Sequence, residues 1–135
     1  MPSIEAYING FPHPTIARIE GPPTYDAIAE MQRSLSANAA SVHTNLGGGQ
    51  LGYLALTVDP AIYATRAAEP FVAPPNPGIL PVIPFGSTVA YTSELVRQHT
   101  HSLKAWREHQ DVDNALKQQL LGTVNDIIYT PRGIT

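Results

Sequence analysis

With 135 residues, 43% of them hydrophobic, the chain has the size of one soluble domain able to bury roughly two-thirds of its unfolded surface. Charge is sparse at 14%, with a formal net charge of -3 and a pI near 5.9, so the basic footprint of a nucleic-acid-binding module is missing. The lack of cysteine excludes a disulfide framework, a thiolate zinc site and a cysteine nucleophile, and no apolar run approaches the ~20 residues of a membrane span.

In chain order, Pro12, Pro14, Pro22 and Pro23 argue for an extended N-terminal arm over residues 1–23, because proline lacks the amide a helix needs. Ile16 and Ile19 are the residues suited to pinning this arm to a core. The arm's beginning has neither the basic nor the apolar region of a signal peptide, so a cytoplasmic location is the expectation. Thr24 reads as an N-cap, with Asp26 near the positive end of the helix dipole. Tyr25, Ile28, Met31, Leu35, Ala39 and Val42 then form one helical stripe, and the spacing predicts a first helix over Thr24–Asn45. Gly47-Gly48-Gly49 ends it.

The short apolar stretch Gln50–Leu56 fits a buried helical turn or a strand, and periodicity does not choose between them. Asp59-Pro60 is an N-cap followed by proline at the first helical position, which predicts a helix over Asp59–Ala68 stopped by Pro70. Six of the thirteen prolines, Pro70, Pro74, Pro75, Pro77, Pro81 and Pro84, fall in the next stretch. Residues 71–88 therefore read as a loop with extended, polyproline-like segments. Loops of this length inside compact domains are uncommon and are often functional.

Ser87 or Thr88 caps the fourth helical stretch. Val89, Thr92, Val96, His99, Leu103, Trp106 and Gln110 keep one helical stripe, which charges at Asp113 and Lys117 would interrupt. A second stripe, Val112, Leu116, Leu120, Val124 and Ile128, is displaced by one residue, about 100° of helical rotation. The phase change predicts a break near Gln110–Asp111, with Asp111 capping a new helix. Ser87–His109 and Asp111–Tyr129 then form an antiparallel hairpin, closed after Tyr129 by Pro131 and Gly133. The predicted architecture is all-α: a small bundle of four to five helices, with an extended arm at 1–23 and a single helical domain at 24–135 that contains the proline-rich loop 70–88.

Few residues combine into chemistry. Gly47, Gly49 and Gly52 match G-x-G-x-x-G, but no strand precedes them and no βαβ unit follows, so the glycines read as a helix stop and a tight turn with close backbone approach. His99 and His101 are two apart and point to nearly opposite sides of a helix, which is wrong for chelating a metal; His99 reads as a partly buried, hydrogen-bonded side chain. His13, His43 and His109 fall in loops or near predicted helix ends. Glu94, Glu108, Asp111, Asp113 and Asp126 decorate solvent faces or caps, and Ser34, Ser36 and Ser41 lack a nucleophile elbow. No nucleophile, base and orienting group assemble, so no catalytic residue, metal or cofactor is assigned and an enzyme is not expected. Arg97, Lys104 and Arg107 read as a solvated face. Trp106, the lone tryptophan, lies on the core stripe and reads first as packing, second as a contact residue.

Several short stretches, in order along nearly the whole chain, resemble the Gag-like region of Copia-superfamily LTR retrotransposons in the divergent form found in algae and other protists. They are Phe11-Pro12-His13-Pro14-Thr15, Gly21-Pro22-Pro23-Thr24-Tyr25, Asn38-Ala39-Ala40-Ser41-Val42, Leu46-Gly47-Gly48-Gly49, Pro70-Phe71, Pro74-Pro75-Asn76-Pro77-Gly78, Trp106-Arg107-Glu108 and Ala115-Leu116-Lys117-Gln118-Gln119. The resemblance implies a helical capsid-type domain that self-associates into a shell around element RNA, and it supplies no catalytic residues. Such Gag proteins continue into further helices. A zinc knuckle for RNA would lie beyond Thr135, so the sequence fits either a piece of an element protein or a host protein derived from one. The expected function is structural, with homotypic contacts made through the arm and through Pro74, Pro75, Asn76, Pro77 and Gly78, with Trp106 as a further candidate. The expected partners are copies of the same chain, and element RNA through regions beyond it. The alternative is a small monomeric helical module that docks a protein or peptide beside the proline loop.

Overall fold

A computed structural model describes residues 3–129, with side chains described through Thr123. All regular structure among them is helical, as expected. The order is α1 (Ile4–Gly10), α2 (Tyr25–Ser41), two single 3-10 turns at Leu46–Gly48 and Leu54–Leu56, α3 (Pro60–Arg66) and α4 (Val89–Tyr129). Residues 67–88 carry no regular element.

The predicted caps form. The Thr24 Oγ1 accepts from the Ala27 amide at 3.1 Å, and an Asp59 carboxylate oxygen accepts from the Ala61 amide at 2.8 Å with Pro60 at the first helical position. Thr88 Oγ1 accepts from the Tyr91 amide at 3.1 Å, so Thr88 rather than Ser87 caps the last helix. Each hydroxyl or carboxylate satisfies one of the amides a helix start leaves without an intrahelical partner.

Three expectations need correction. The segment 1–23 is not extended throughout, because Ile4–Gly10 is helical. Ser3 caps it by accepting from the Ala6 amide at 3.1 Å, and the first proline able to stop it is Pro12. The helix expected over Thr24–Asn45 ends at Ser41, where Val42 turns extended and the Tyr53 amide takes up the Ala39 carbonyl at 2.9 Å. The break at Gln110–Asp111 does not exist, and neither does the hairpin. α4 runs through as one 41-residue helix, so Asp111 is not an N-cap and His109 lies well inside the helix rather than near its end. No proline or glycine stands between Thr88 and Leu121 to stop it, and aspartate inside a helix costs only about 0.7 kcal/mol relative to alanine.

The chain divides into two compact units, one formed by the described residues up to Val72 with those from Asp111 onward, the other by 73–110. The phase change between the two stripes of α4 coincides with this division. The stripe shift thus marks a change in what the helix packs against, not an end of the helix.

The first unit holds the core. Phe11, Leu35, Ala39, Tyr53, Val112, Ala115 and Leu116 are buried together, with Ile4, Tyr7, Ile8, Ile16, Met31 and Leu120 among the residues packed around them. The arm is pinned as expected, with Ile16 against the core and Ile19 buried. Within this unit α2 buries only its second half, while Tyr25 is 85% and Ile28 45% exposed. A polar knot lies in the same core. Asn38, fully buried, accepts from the His13 amide at 2.9 Å and donates to the His13 carbonyl at 3.0 Å and to Gln119 Oε1 at 2.9 Å. Gln119 Nε2 in turn donates to the carbonyls of His13 and Pro14 at 3.0 and 3.2 Å. Every polar atom of the Asn38 amide is used, as a buried amide requires.

The glycines of the G-x-G-x-x-G match make turns. Gly52 has φ +55°, and a Cβ there would sit 2.5 Å from the Ala40 carbonyl oxygen and 2.6 Å from that of Val42. That is the close backbone approach the sequence suggests, and it holds the 3-10 turns against the end of α2.

Candidate interaction surface

The segment 73–110 combines the proline loop with the first half of α4. Its shape follows from local chemistry. Asn76 Oδ1 accepts from the Gly78 amide at 2.9 Å, and Gly78 has φ +71°, the conformation a Pro-Gly pair adopts in a tight turn. The Gly78 carbonyl is hydrogen-bonded to His99 Nε2 at 2.9 Å, which ties the turn to the helix. His99 is accordingly half-buried and hydrogen-bonded, as its stripe position predicts, while His101 is exposed. A second turn follows at Pro84–Ser87, closed by the Ser87 amide on the Pro84 carbonyl at 3.2 Å and by the Ser87 hydroxyl on the same oxygen at 2.6 Å.

Of the predicted contact residues, Pro75, Asn76 and Gly78 are exposed, Pro74 and Pro77 are half-buried, and Trp106 is half-buried about two turns beyond His99 on α4. The residues that stand out were not among them. Ile79 is 90% exposed, Val82 91%, Phe85 107% and Val89 84%. Phe85 sits at the tip of the Pro84–Ser87 turn. No charged residue lies between Glu69 and Glu94. A bulky apolar run inside a proline-rich segment was the available signal, since prolines deny it the helix or ladder that would bury alternate residues. Isolated exposed apolar residues are ordinary on protein surfaces, but several within one uncharged segment are not.

Where charge resumes, Glu94 pairs with Arg97 at 2.6 Å on the exposed face of α4. Hydrogen bonds from Arg97 and then Gln98 hold the Glu94 carboxyl down to about 2. Arg97, Lys104 and Arg107 are all exposed, as a solvated face requires.

The first unit carries a cleft of about 460 Å³ whose lining includes Ala55, Ala64, Ala67, Pro70 and Phe71. The Phe71 ring packs in T-shaped geometry with both Tyr53 and Tyr63, at centroid distances of 6.0 and 6.1 Å. Tyr63 is buried and its hydroxyl, pressed towards Gly47, has no hydrogen-bond partner among the described residues. Sequence reading missed the cleft, whose alanines look like ordinary helix formers. Among the described residues no three histidine, aspartate or glutamate side chains come together in a way that could hold a metal ion, and no helix is long and apolar enough to cross a membrane.

No protein-family model, no curated protein and no solved structure matches the chain.

Proposed function

We propose that the chain is a non-enzymatic structural protein that self-assembles through homotypic contacts, a capsid-like Gag domain of a Copia-type retrotransposon or a host protein derived from one. The observation that carries the reading is the uncharged, proline-stiffened loop that presents Ile79, Val82 and Phe85 to solvent at 90% exposure or more. Burying one such side chain contributes about 1.5–3 kcal/mol, so leaving three in water on one short segment favours their burial against another molecule. Six prolines and two hydrogen-bonded turns lower the entropy that ordering this loop on a partner would cost. The ordered series of short stretches resembling Gag proteins supports the same reading, with element RNA as a partner of regions beyond this chain and the cytoplasm as the place of assembly.

Light scattering over a series of protein concentrations tests the proposal. A mass that climbs with concentration supports it; a 14.5 kDa species at every concentration overturns it. The second reading, a monomeric module that docks a peptide or protein segment, is favoured by the apolar cleft of about 460 Å³, a volume within the usual range of ligand sites. A constant monomer mass together with saturable peptide binding at that cleft would establish it instead.

A further inference from the structure

We propose that Asn9 is a self-modifying site: its side-chain amide is lost to attack by the Gly10 backbone nitrogen, and the isoaspartate that forms loosens the N-terminal arm from the core. The chemistry is independent of whether copies of the chain associate, and it needs only water as co-reactant. The Gly10 nitrogen gives up its proton to solvent base and bonds to Asn9 Cγ, while the Cγ–Nδ2 bond breaks and ammonia leaves. Water then opens the five-membered imide at either carbonyl. Aspartate or isoaspartate is left at position 9, and the Gly10 nitrogen regains a proton.

No other asparagine of the chain precedes a glycine. Glycine has no Cβ to shield its nitrogen and gives the backbone the freedom that ring closure needs. Two other asparagines show the contrast. Asn76 precedes Pro77, whose nitrogen has no proton to lose. The Asn38 amide is buried with every polar atom hydrogen-bonded. Asn9 and Gly10 are both exposed, and a Cβ built on Gly10 would meet nothing within 4 Å, so water and base reach the site.

Inside a helix the Gly10 amide is held by the backbone ladder, so ring closure waits for the helix end to unwind. α1 has only seven residues, none of them fully buried, and Asn9 and Gly10 are its last two. Short helices are marginal and helix ends fray. The Phe11 amide already bonds back three residues, to the Ile8 carbonyl at 3.2 Å, as a tightened last turn does.

Although the site lies on the surface, its product acts on the core. Phe11 is 5% exposed and belongs to the apolar cluster, and the His13 backbone is bonded to Asn38 and Gln119. Isoaspartate adds one methylene to the main chain between α1 and those anchors. Either product also adds a negative charge at a helix C-terminus, where the dipole disfavours it.

The test incubates the full chain in mildly alkaline buffer, folded and in urea, and follows Asn9 by peptide mass mapping. Asn9 in the folded chain should react within about a hundredfold of its rate in urea, because a fraying helix end opens at little cost. Gly10→Ala, which fits the open space, should slow the folded chain about fivefold through helix propensity alone. Ion exchange then separates the aged forms. Trypsin should cut after exposed Arg18 faster in the isoaspartate form than in an Asn9→Asp variant, which carries the same charge on an ordinary backbone. That cut requires release of Ile19, which is buried and whose amide bonds the Thr123 carbonyl at 3.2 Å. A folded chain whose Asn9 stays intact while the chain in urea reacts overturns the site. Equal cutting of the isoaspartate form and Asn9→Asp overturns the loosening of the arm.

Discussion

The two halves of α4 are built from the same helical periodicity and meet opposite fates. Among the described residues the second stripe is covered: Val112 has no exposed surface, Leu116 only 5% and Leu120 is half-buried, with Ala115 fully buried beside them. Before Gln110 the corresponding stripe is half-buried at His99, Leu103 and Trp106, and exposed at Val89 and Val96. An amphipathic pattern says which residues share a face, not how much protein covers that face. The covered half belongs to a unit held by an apolar cluster and a buried amide network. The uncovered half belongs to a unit shaped by turns, prolines and a single histidine staple.

The sharpest way to break that contrast is at the amide network. Asn38→Ala removes three hydrogen bonds and leaves Gln119 and the His13 backbone short of partners in a buried site. We expect a loss of about 3–4 kcal/mol in urea unfolding, while a substitution of similar size at exposed Asn76 should change stability far less. A result below 1 kcal/mol for Asn38→Ala would mean that the network does not hold the arm to α2 and α4. Next comes Gly52→Ala, which combines a left-handed backbone with Cβ contacts of 2.5 and 2.6 Å to fixed carbonyl oxygens. It should cost about 3 kcal/mol, read as a lowered melting temperature. The same change at Gly78 meets open space and should cost only about 1 kcal/mol for its positive φ.

A smaller effect of opposite sign is expected at Tyr63. Its buried hydroxyl has no hydrogen-bond partner among the described residues, so Tyr63→Phe should leave stability unchanged or raise it by about 1 kcal/mol. A loss of 2 kcal/mol would show that the hydroxyl is satisfied in solution. The smallest effect concerns Glu94, on the uncovered half of α4. Its pKa is lowered from 4.5 to about 2 by Arg97 and Gln98. The stabilising contribution of a depressed carboxylate is complete above the unfolded value and fades as pH falls towards the folded one. It should therefore be present above pH 4.5 and disappear between there and about pH 2. Carbon NMR of the Glu94 carboxyl checks the midpoint, and 1 M salt should move it back towards 4.5 because the pair is exposed.

How far the residues announce the structure depends on the range over which each signal acts. Thr24, Asp59-Pro60 and Thr88 mark helix starts because a cap is made within three residues. The helix Ile4–Gly10 carries the same kind of signal in Ser3, and Pro12, Pro14, Pro22 and Pro23 forbid a helix only from Pro12 onward, not in the residues before it. The candidate surface was legible in position, since the proline density around Pro74–Gly78 points to it. It was not legible in detail, because exposure of Ile79, Val82 and Phe85 depends on nothing else packing over them.

By itself, then, the amino-acid order determined the helical class, three helix starts, the irregular loop at 71–88 and the phase change at Gln110–Asp111. All of these rest on bonds or sterics between near neighbours. Only the tertiary structure decided that the phase change is carried by one unbroken helix, that Asn38 meets His13 and Gln119 across separations of 25 and 81 residues, and that Phe85 is left in water. The physical reason is that burial and buried hydrogen bonding depend on which distant segments arrive at a face, and no local pattern encodes that arrival.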